Sequence, residues 1–156
     1  MIIGHVMKRD VVSIDSEATV KDAAGRMAQH EIGSLVVTEQ GKPVGIVTER
    51  DLVSRVLAAG KNADVTRIKM IMSKPLICGT PDMDFVEAVK LMINRTIKKL
   101  PVTHGEQLVG ILTMTDVIAL HPVVIELIEE EAKGRIPYRF AKRLRKTQFA
   151  IPANPP

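Results

Sequence analysis

Gly45-Ile46-Val47-Thr48-Glu49-Arg50-Asp51-Leu52 is written a second time, 65 residues later, as Gly110-Ile111-Leu112-Thr113-Met114-Thr115-Asp116-Val117. Each copy is a glycine, a short apolar run that reads as a buried strand, and Thr-x-x-Asp opening a helix. A strand that runs into a helix start aims free backbone N–H groups and the positive end of the helix dipole at one spot, which suits an anion. The threonine hydroxyl can donate to a phosphate oxygen there. The aspartate one turn on can accept from a pair of hydroxyls such as those of a ribose. The same letters admit a purely local reading. Thr48/Asp51 and Thr113/Asp116 stand at N-cap and N3 spacing, a capping box, although that box prefers Glu or Gln at N3.

Working outward, residues 6–52 slide onto 71–117 without a gap. Identities fall at Met7/Met72, Ala23/Ala88, Met27/Met92, Ile32/Ile97, Leu35/Leu100, Val37/Val102, Thr38/Thr103 and Val44/Val109, besides those in the quoted stretch. Two copies of one supersecondary unit is the economical account. A unit of this size buries too little surface alone, so the halves are expected to pack on each other. Within the first copy, Val11–Ile14 reads as a strand. Val20, Ala23, Ala24, Met27 and Ala28 mark one face of a helix. Leu35–Val37 and Val44–Val47 read as strands about a turn at Glu39–Lys42, and a helix runs from Thr48 to about Ala59. The second copy predicts strands at Leu76–Ile77, Leu100–Thr103 and Leu108–Leu112, a helix over Asp84–Arg95 and another from Thr113. The order is strand, helix, strand, strand, helix, twice. A glycine inside each apolar strand, at 45 and 110, predicts close backbone approach by the neighbouring repeat or by a ligand.

Composition sets limits. Across 156 residues the apolar share is 46% but aromatics are only 3% and Trp is absent, so the core is expected to be aliphatic. A single cysteine, Cys78, excludes an internal disulfide and a cysteine-based metal framework and fits a reducing cytoplasm. No signal peptide is read at the N-terminus, where Lys8, Arg9 and Asp10 follow directly on Met1–Val6. No run approaches the ~20 apolar residues of a membrane span. The net charge of +4 is uneven: residues 133–156 hold seven basic side chains and no acid, and the remainder is mildly acidic.

With the repeats, the element order and Gly-h-x-Thr-x-x-Asp at each third strand in hand, the chain resembles a pair of cystathionine-β-synthase (CBS) domains. Further signatures are Val6-Met7-Lys8-Arg9 and Ile71-Met72-Ser73-Lys74 opening the copies, and Ile32-Gly33-Ser34-Leu35-Val36-Val37 and Ile97-Lys98-Lys99-Leu100-Pro101-Val102 before each hairpin. The resemblance covers roughly residues 1–120. It implies an α/β fold of two tandem βαββα repeats with pseudo-twofold symmetry, followed here by a C-terminal helical basic tail. The division expected is 1–60 for the first repeat, 61–69 for a linker, 70–121 for the second repeat and 122–156 for the tail. It also implies two clefts between the halves that take adenosine-containing ligands, AMP, ADP, ATP or S-adenosylmethionine, and through them regulate a partner protein. Carried over residue by residue, Asp51 and Asp116 hold ribose hydroxyls, and Thr48 and Thr113 hold phosphate, with Arg50 a further phosphate donor. Ser13, Ile14 and Ser34 line the base in one cleft, and Cys78, Gly79, Lys99 and Leu100 in the other. This chain departs from the pattern at Val36, where Pro is frequent, as at Pro101. Arg50 is matched by Thr115 and Ser34 by Lys99, so the clefts are not chemically equal.

Catalysis and metal binding find no support in the sequence. His5, His30, His104 and His121 lie far apart without metal-ligand spacing, Ser34 and Ser54 lack a nucleophile elbow, and Cys78 reads as a small core residue. Met7, Met27, Met72 and Met92 fall at equivalent places and read as core. Beyond Pro122 the pattern predicts a helix over 123–133 and a short basic helix over 136–146 with Phe140 and Leu144 one turn apart. Two functions remain. The favoured one is a ligand-sensing regulatory module without catalysis, acting as a homodimer through Leu52, Val53 and Val56. The alternative is a nucleic-acid-associated protein whose repeats only dimerise, with phosphate backbone bound through 133–146.

Overall fold

In the computed structural model, which describes residues 1–120, Thr19 opens the first long helix, α1 (Val20–His30), with a complete capping box. The Thr19 hydroxyl accepts from the Asp22 amide at 3.1 Å while Asp22 accepts from the Thr19 amide at 3.0 Å. Glu31, in the left-handed region at φ 53°, ends it. Val20, Ala23 and Met27 turn inward onto a three-stranded sheet. Its strands are β1 (Ser13–Asp15), β2 (Ser34–Glu39) and β3 (Lys42–Thr48), with β1 parallel and β3 antiparallel to β2. Gln40 and Gly41, both at positive φ, make the hairpin turn. Thr48 then starts α2 (Glu49–Asp51), which continues as a π-helical segment over Leu52–Leu57.

The second repeat follows with α3 (Phe85–Asn94), β4 (Lys99–His104), β5 (Gln107–Thr113) and α4 (Met114–Leu120). The architecture is the expected α/β pair of repeats, with one correction. The strand expected at Leu76–Ile77 does not form, and β4 and β5 make a two-stranded sheet. A single parallel bridge, Gly79 to Val102, stands where β1 pairs with β2 in the first copy. The cause is a pair of prolines: Pro81 stands where the Ser16 amide donates to the Thr38 carbonyl at 2.9 Å, and Pro101 acts at the other end. In the first repeat the Val36 amide donates to the Val12 carbonyl at 3.4 Å. Pro101 occupies the equivalent place and has no N–H to give, so that bond is lost.

The two hydrophobic cores are built by exchange. Ile68, Ile71 and Met72, from the start of the second copy, lie in the core of the first with Ile14, Leu35 and Val47. Ile3 and Met7, from the start of the first copy, lie in the core of the second with Met92, Leu100 and Leu112. Main-chain pairing follows the same exchange. Lys8 and Ile111 exchange both of their backbone hydrogen bonds at 2.9–3.0 Å, and Ser73 and Ile46 do so at 2.9–3.1 Å. Those pairs are 65 residues apart on both sides, so the crossing obeys the pseudo-twofold symmetry. The repeats' third strands, β3 and β5, lie side by side, and Lys42 of one hairpin pairs with Glu106 of the other at 2.9 Å.

The exchange explains the two strand glycines. A Cβ on Gly45 would stand 2.8 Å from the Ser73 carbonyl oxygen, and one on Gly110 would stand 3.0 Å from that of Lys8 and overlap the Met7 sulfur. The close approach is by the neighbouring repeat's opening segment. The segment read as a linker is also tied down, since Val20 and Lys21 donate to the carbonyls of Thr66 and Ala63 and Ile68 is fully buried. Of the apolar face expected on α2, Val56 is in the first core and Leu52 packs against it; Val53 and Leu57 are the exposed pair. The predicted helix over 123–133 and the basic stretch 133–146 lie outside the described residues. Among the described residues no helix is long and apolar enough to cross a membrane.

Candidate functional site

Thr48 and Thr113 are the last residues of β3 and β5, and each hands the chain to a helix that brings its aspartate back beside it. In the first copy the capping box forms in full. The Thr48 amide and hydroxyl donate to Asp51 Oδ2 at 2.8 and 3.0 Å, and the Asp51 amide donates to Thr48 Oγ1 at 3.3 Å. In the second, the Thr113 hydroxyl donates to Asp116 Oδ2 at 2.5 Å and the Asp116 amide to Thr113 Oγ1 at 3.1 Å. The local reading of Thr-x-x-Asp is therefore realised in both copies. It consumes Oδ2 of each carboxylate and leaves Oδ1 to face a cation.

The cations differ. Asp51 Oδ1 lies 3.5 Å from Arg55 Nε, one turn along its own helix, and Arg55 in turn donates to the Ile71 and Met72 carbonyls of the crossed segment at 2.7 and 3.4 Å. Asp116 Oδ1 lies 2.9 Å from Lys8 Nζ, and Lys8 belongs to the crossed segment itself. Burial of the Asp116 carboxyl works to raise its pKa, but the Thr113 hydrogen bonds and the Lys8 ammonium outweigh it, so the group sits below its ordinary 3.8. Both aspartate side chains are mostly covered, at 13% and 18% exposure, so charges on them act through a partly dry medium.

Register places the neighbours. Ser34 is opposite Thr48 across β2 and β3, and Lys99 is opposite Thr113 across β4 and β5, so each shares a sheet face with its threonine. Ser34 is buried and Lys99 half-buried. Desolvation lowers the Lys99 pKa, and the Lys8 charge adds to that; Glu49 and Asp116 pull the other way. Glu49 comes from the first repeat, where its amide donates to the Gly33 carbonyl at 3.1 Å. Lys8, Lys99, Glu49 and Asp116 thus form one electrostatic cluster at the junction of the repeats.

The remaining expected residues divide by orientation. The side chains of Ile14 and Leu100 are closed inside the two cores, at 1% and 0% exposure, so only their main chain could face a ligand. Ser13 is half-buried and its carbonyl accepts from Arg26 at 2.5 Å. Gly79 is packed by Ile3, Leu100 and Met83, while Arg50 and Thr115 are exposed. Cys78 is not the core residue expected. It is exposed, and its sulfur accepts from the Thr103 hydroxyl at 3.5 Å. Among the described residues no cluster of His, Cys, Asp or Glu could hold a metal ion. Lys8, Glu49 and Arg55 were not legible as site residues. Arg55 had a signal in its i, i+4 spacing from Asp51, whereas Lys8 and Glu49 reach the second site only through the crossing of the repeats.

Comparison with known proteins agrees with this architecture. The CBS domain family matches residues 3–58 and again 67–122. An uncharacterised protein of Methanopyrus kandleri is 43% identical over 84% of this chain and 68% of its own length. A CBS domain-containing protein of Bacillus subtilis, YhcV, is 34% identical over 73% of this chain and 81% of its own. Among solved structures, the CBS domain pair of protein MJ0100, in complex with 5′-methylthioadenosine and S-adenosyl-L-methionine, superposes with a TM-score of 0.70 at 25% identity, covering 77% of this chain and 94% of that one.

Proposed function

We propose that this chain, which belongs to the CBS domain family through both of its repeats, is a regulatory module that binds an adenosine-containing ligand at the Thr48/Asp51 and Thr113/Asp116 sites and has no catalysis of its own. The observation that carries the reading is the twofold appearance of a threonine–aspartate pair at a strand-to-helix junction beside the neighbouring repeat's opening segment. The capping bonds occupy one carboxylate oxygen and fix the side chain, leaving Oδ1 as the acceptor for ribose hydroxyls. A carboxylate oxygen bound to vicinal hydroxyls makes charge-assisted hydrogen bonds, which are short and about twice as strong as neutral ones. The exposed Arg50 supplies a donor for phosphate, and Thr48 and Thr113 add theirs only by giving up the hydroxyl proton that each now donates to its aspartate. The complex of the MJ0100 domain pair with methylthioadenosine and S-adenosylmethionine supports the adenosine class. Main chain at Ser13, Ile14, Cys78, Gly79 and Leu100 lines the base under this reading.

Occupancy acts on the fold because each site touches both repeats. A ligand that draws on Asp116 perturbs Lys8, and one that draws on Asp51 perturbs Arg55 and its hold on residues 71 and 72. The signal passes to a second copy of the chain through the exposed Val53 and Leu57 on α2, and to a regulated partner in the cytoplasm.

Melting the protein with AMP, ATP, S-adenosylmethionine and NAD in parallel tests the reading. A ligand that binds only the native state raises Tm by mass action, by the equivalent of about 2.7 kcal/mol at a hundred times its Kd. The shift is expected for at least one adenosine compound and is lost in Asp51→Ala combined with Asp116→Ala. No shift from any of the four sinks the proposal.

A further inference from the structure

Lys8 stands out once the two sites are laid over each other. The place 65 residues on is Ser73, so the crossed segment brings an ammonium to Asp116 and has a serine at the equivalent place in the first repeat. The main chain of Lys8 is pinned to Ile111 by two hydrogen bonds, which fixes where its side chain starts. The side chain itself is 65% exposed, its ammonium is 2.9 Å from Asp116 Oδ1, and nothing encloses it. A ribose that brings both of its vicinal hydroxyls to Oδ1 takes up both lone pairs of that oxygen and displaces this ammonium. The displaced charge then lies within one side-chain swing of the ligand, beside Lys99, whose half-buried ammonium has no ion pair among the described residues. At the first site the corresponding cation, Arg55, is held by two carbonyls and cannot follow a ligand in the same way.

We infer that Lys8 is a specificity-determining residue of the second site: it is the counter-ion that a ribose displaces from Asp116, and on displacement it passes to an anionic group of the same ligand. The second site therefore prefers a phosphate-bearing adenosine compound to the bare nucleoside. A nucleoside displaces Lys8 and gives it nothing in return. A nucleotide replaces the lost ion pair with another and brings Lys99 a charge partner. This rests on the adenosine-binding reading above and adds to it the chemical group that the second site selects.

The test is calorimetric titration of the full chain with 5′-AMP and with adenosine, in the unaltered protein and in Asp51→Ala, which leaves the second site to be measured alone. AMP is expected to bind the second site about tenfold more tightly than adenosine, a preference that shrinks as salt rises. Lys8→Gln should remove most of that preference by weakening AMP, while adenosine binding stays the same or tightens severalfold because its competitor for Asp116 is gone. Lys8→Arg should restore the preference. Should Asp51→Ala fold poorly, the unaltered chain is fitted as two sites, and the loss in Lys8→Gln must be confined to one. Equal weakening of both ligands, or no change in either, overturns the role of Lys8 while adenosine binding itself stands. Absence of binding by the unaltered protein overturns both.

Discussion

The two Thr-x-x-Asp sites share their letters, their caps and their strand endings, yet they differ in where the charge on the aspartate is answered. At Asp51 the answer comes from within, from Arg55 one helical turn away, and the crossed segment contributes only carbonyls. At Asp116 it comes from outside, from Lys8 of the crossed segment, while the residue 65 places on from Arg55 is the exposed Leu120. A duplicated motif can thus keep its local geometry and diverge in its electrostatics. The cap is set by residues three apart in sequence, and the counter-ion by whatever the fold brings near.

The sharpest way to break the comparison is to remove one crossing at a time. Ile3→Ala empties a buried position in the second core and Ile68→Ala its counterpart in the first, each at about 2–5 kcal/mol by large-to-small core substitution. Urea unfolding should show similar losses. Hydrogen exchange should loosen β4 and β5 in the first variant and β2 and β3 in the second. Loosening in the repeat that carries the substitution in sequence would refute the exchange.

A smaller effect separates the two glycines. Gly45→Ala places a methyl against the Ser73 carbonyl oxygen, which is held in a backbone pair, and should cost ~1–3 kcal/mol as overpacking. Gly110→Ala meets both Cγ and Sδ of the core residue Met7 as well as the Lys8 carbonyl oxygen at 3.0 Å, and should cost at least as much in the same thermal melt. Smaller still are the caps. Thr48→Ala and Thr113→Ala should each lose about 1 kcal/mol of stability, since each leaves a helix-start amide without its acceptor.

The smallest expected effect is in pH. The folded carboxyl of Asp116 titrates below 3.8, so its contribution to stability is complete above the unfolded value and is lost as pH falls through the folded one. Lys8→Gln removes the hydrogen bond and the charge that Lys8 supplies. The Asp116 titration, followed by carboxyl NMR, should then move upward.

Much of the architecture was legible because it rests on short-range patterns. The 65-residue offset, the period of α1 and α3, the hairpins and the Thr-x-x-Asp caps all follow from residues close together in the chain. The strand missed at Leu76–Ile77 shows where that stops. Its apolar letters were right, but the partner strand offers Pro101 in place of an N–H, and a ladder depends on both members. Cys78 failed because it stands at the place of Ser13, and along that segment it is the next residue that turns inward, Ile14 in the first repeat and Gly79 in the second. On α2, Val56 was read as surface and lies in the core, because Leu52–Leu57 winds as a π-helix and its faces are not those of a regular helix.

By itself, then, the sequence determined two copies of one α/β unit, an aliphatic core and a hydroxyl–carboxylate pair at the end of each third strand, since these depend on spacing along the chain. Only the tertiary structure decided that each copy is completed by the other's opening segment, and hence that Lys8 meets Asp116 across more than a hundred residues. Two identical units could each have closed on their own start. Which closure occurs depends on burial summed over both halves, and no local stretch of residues encodes that sum.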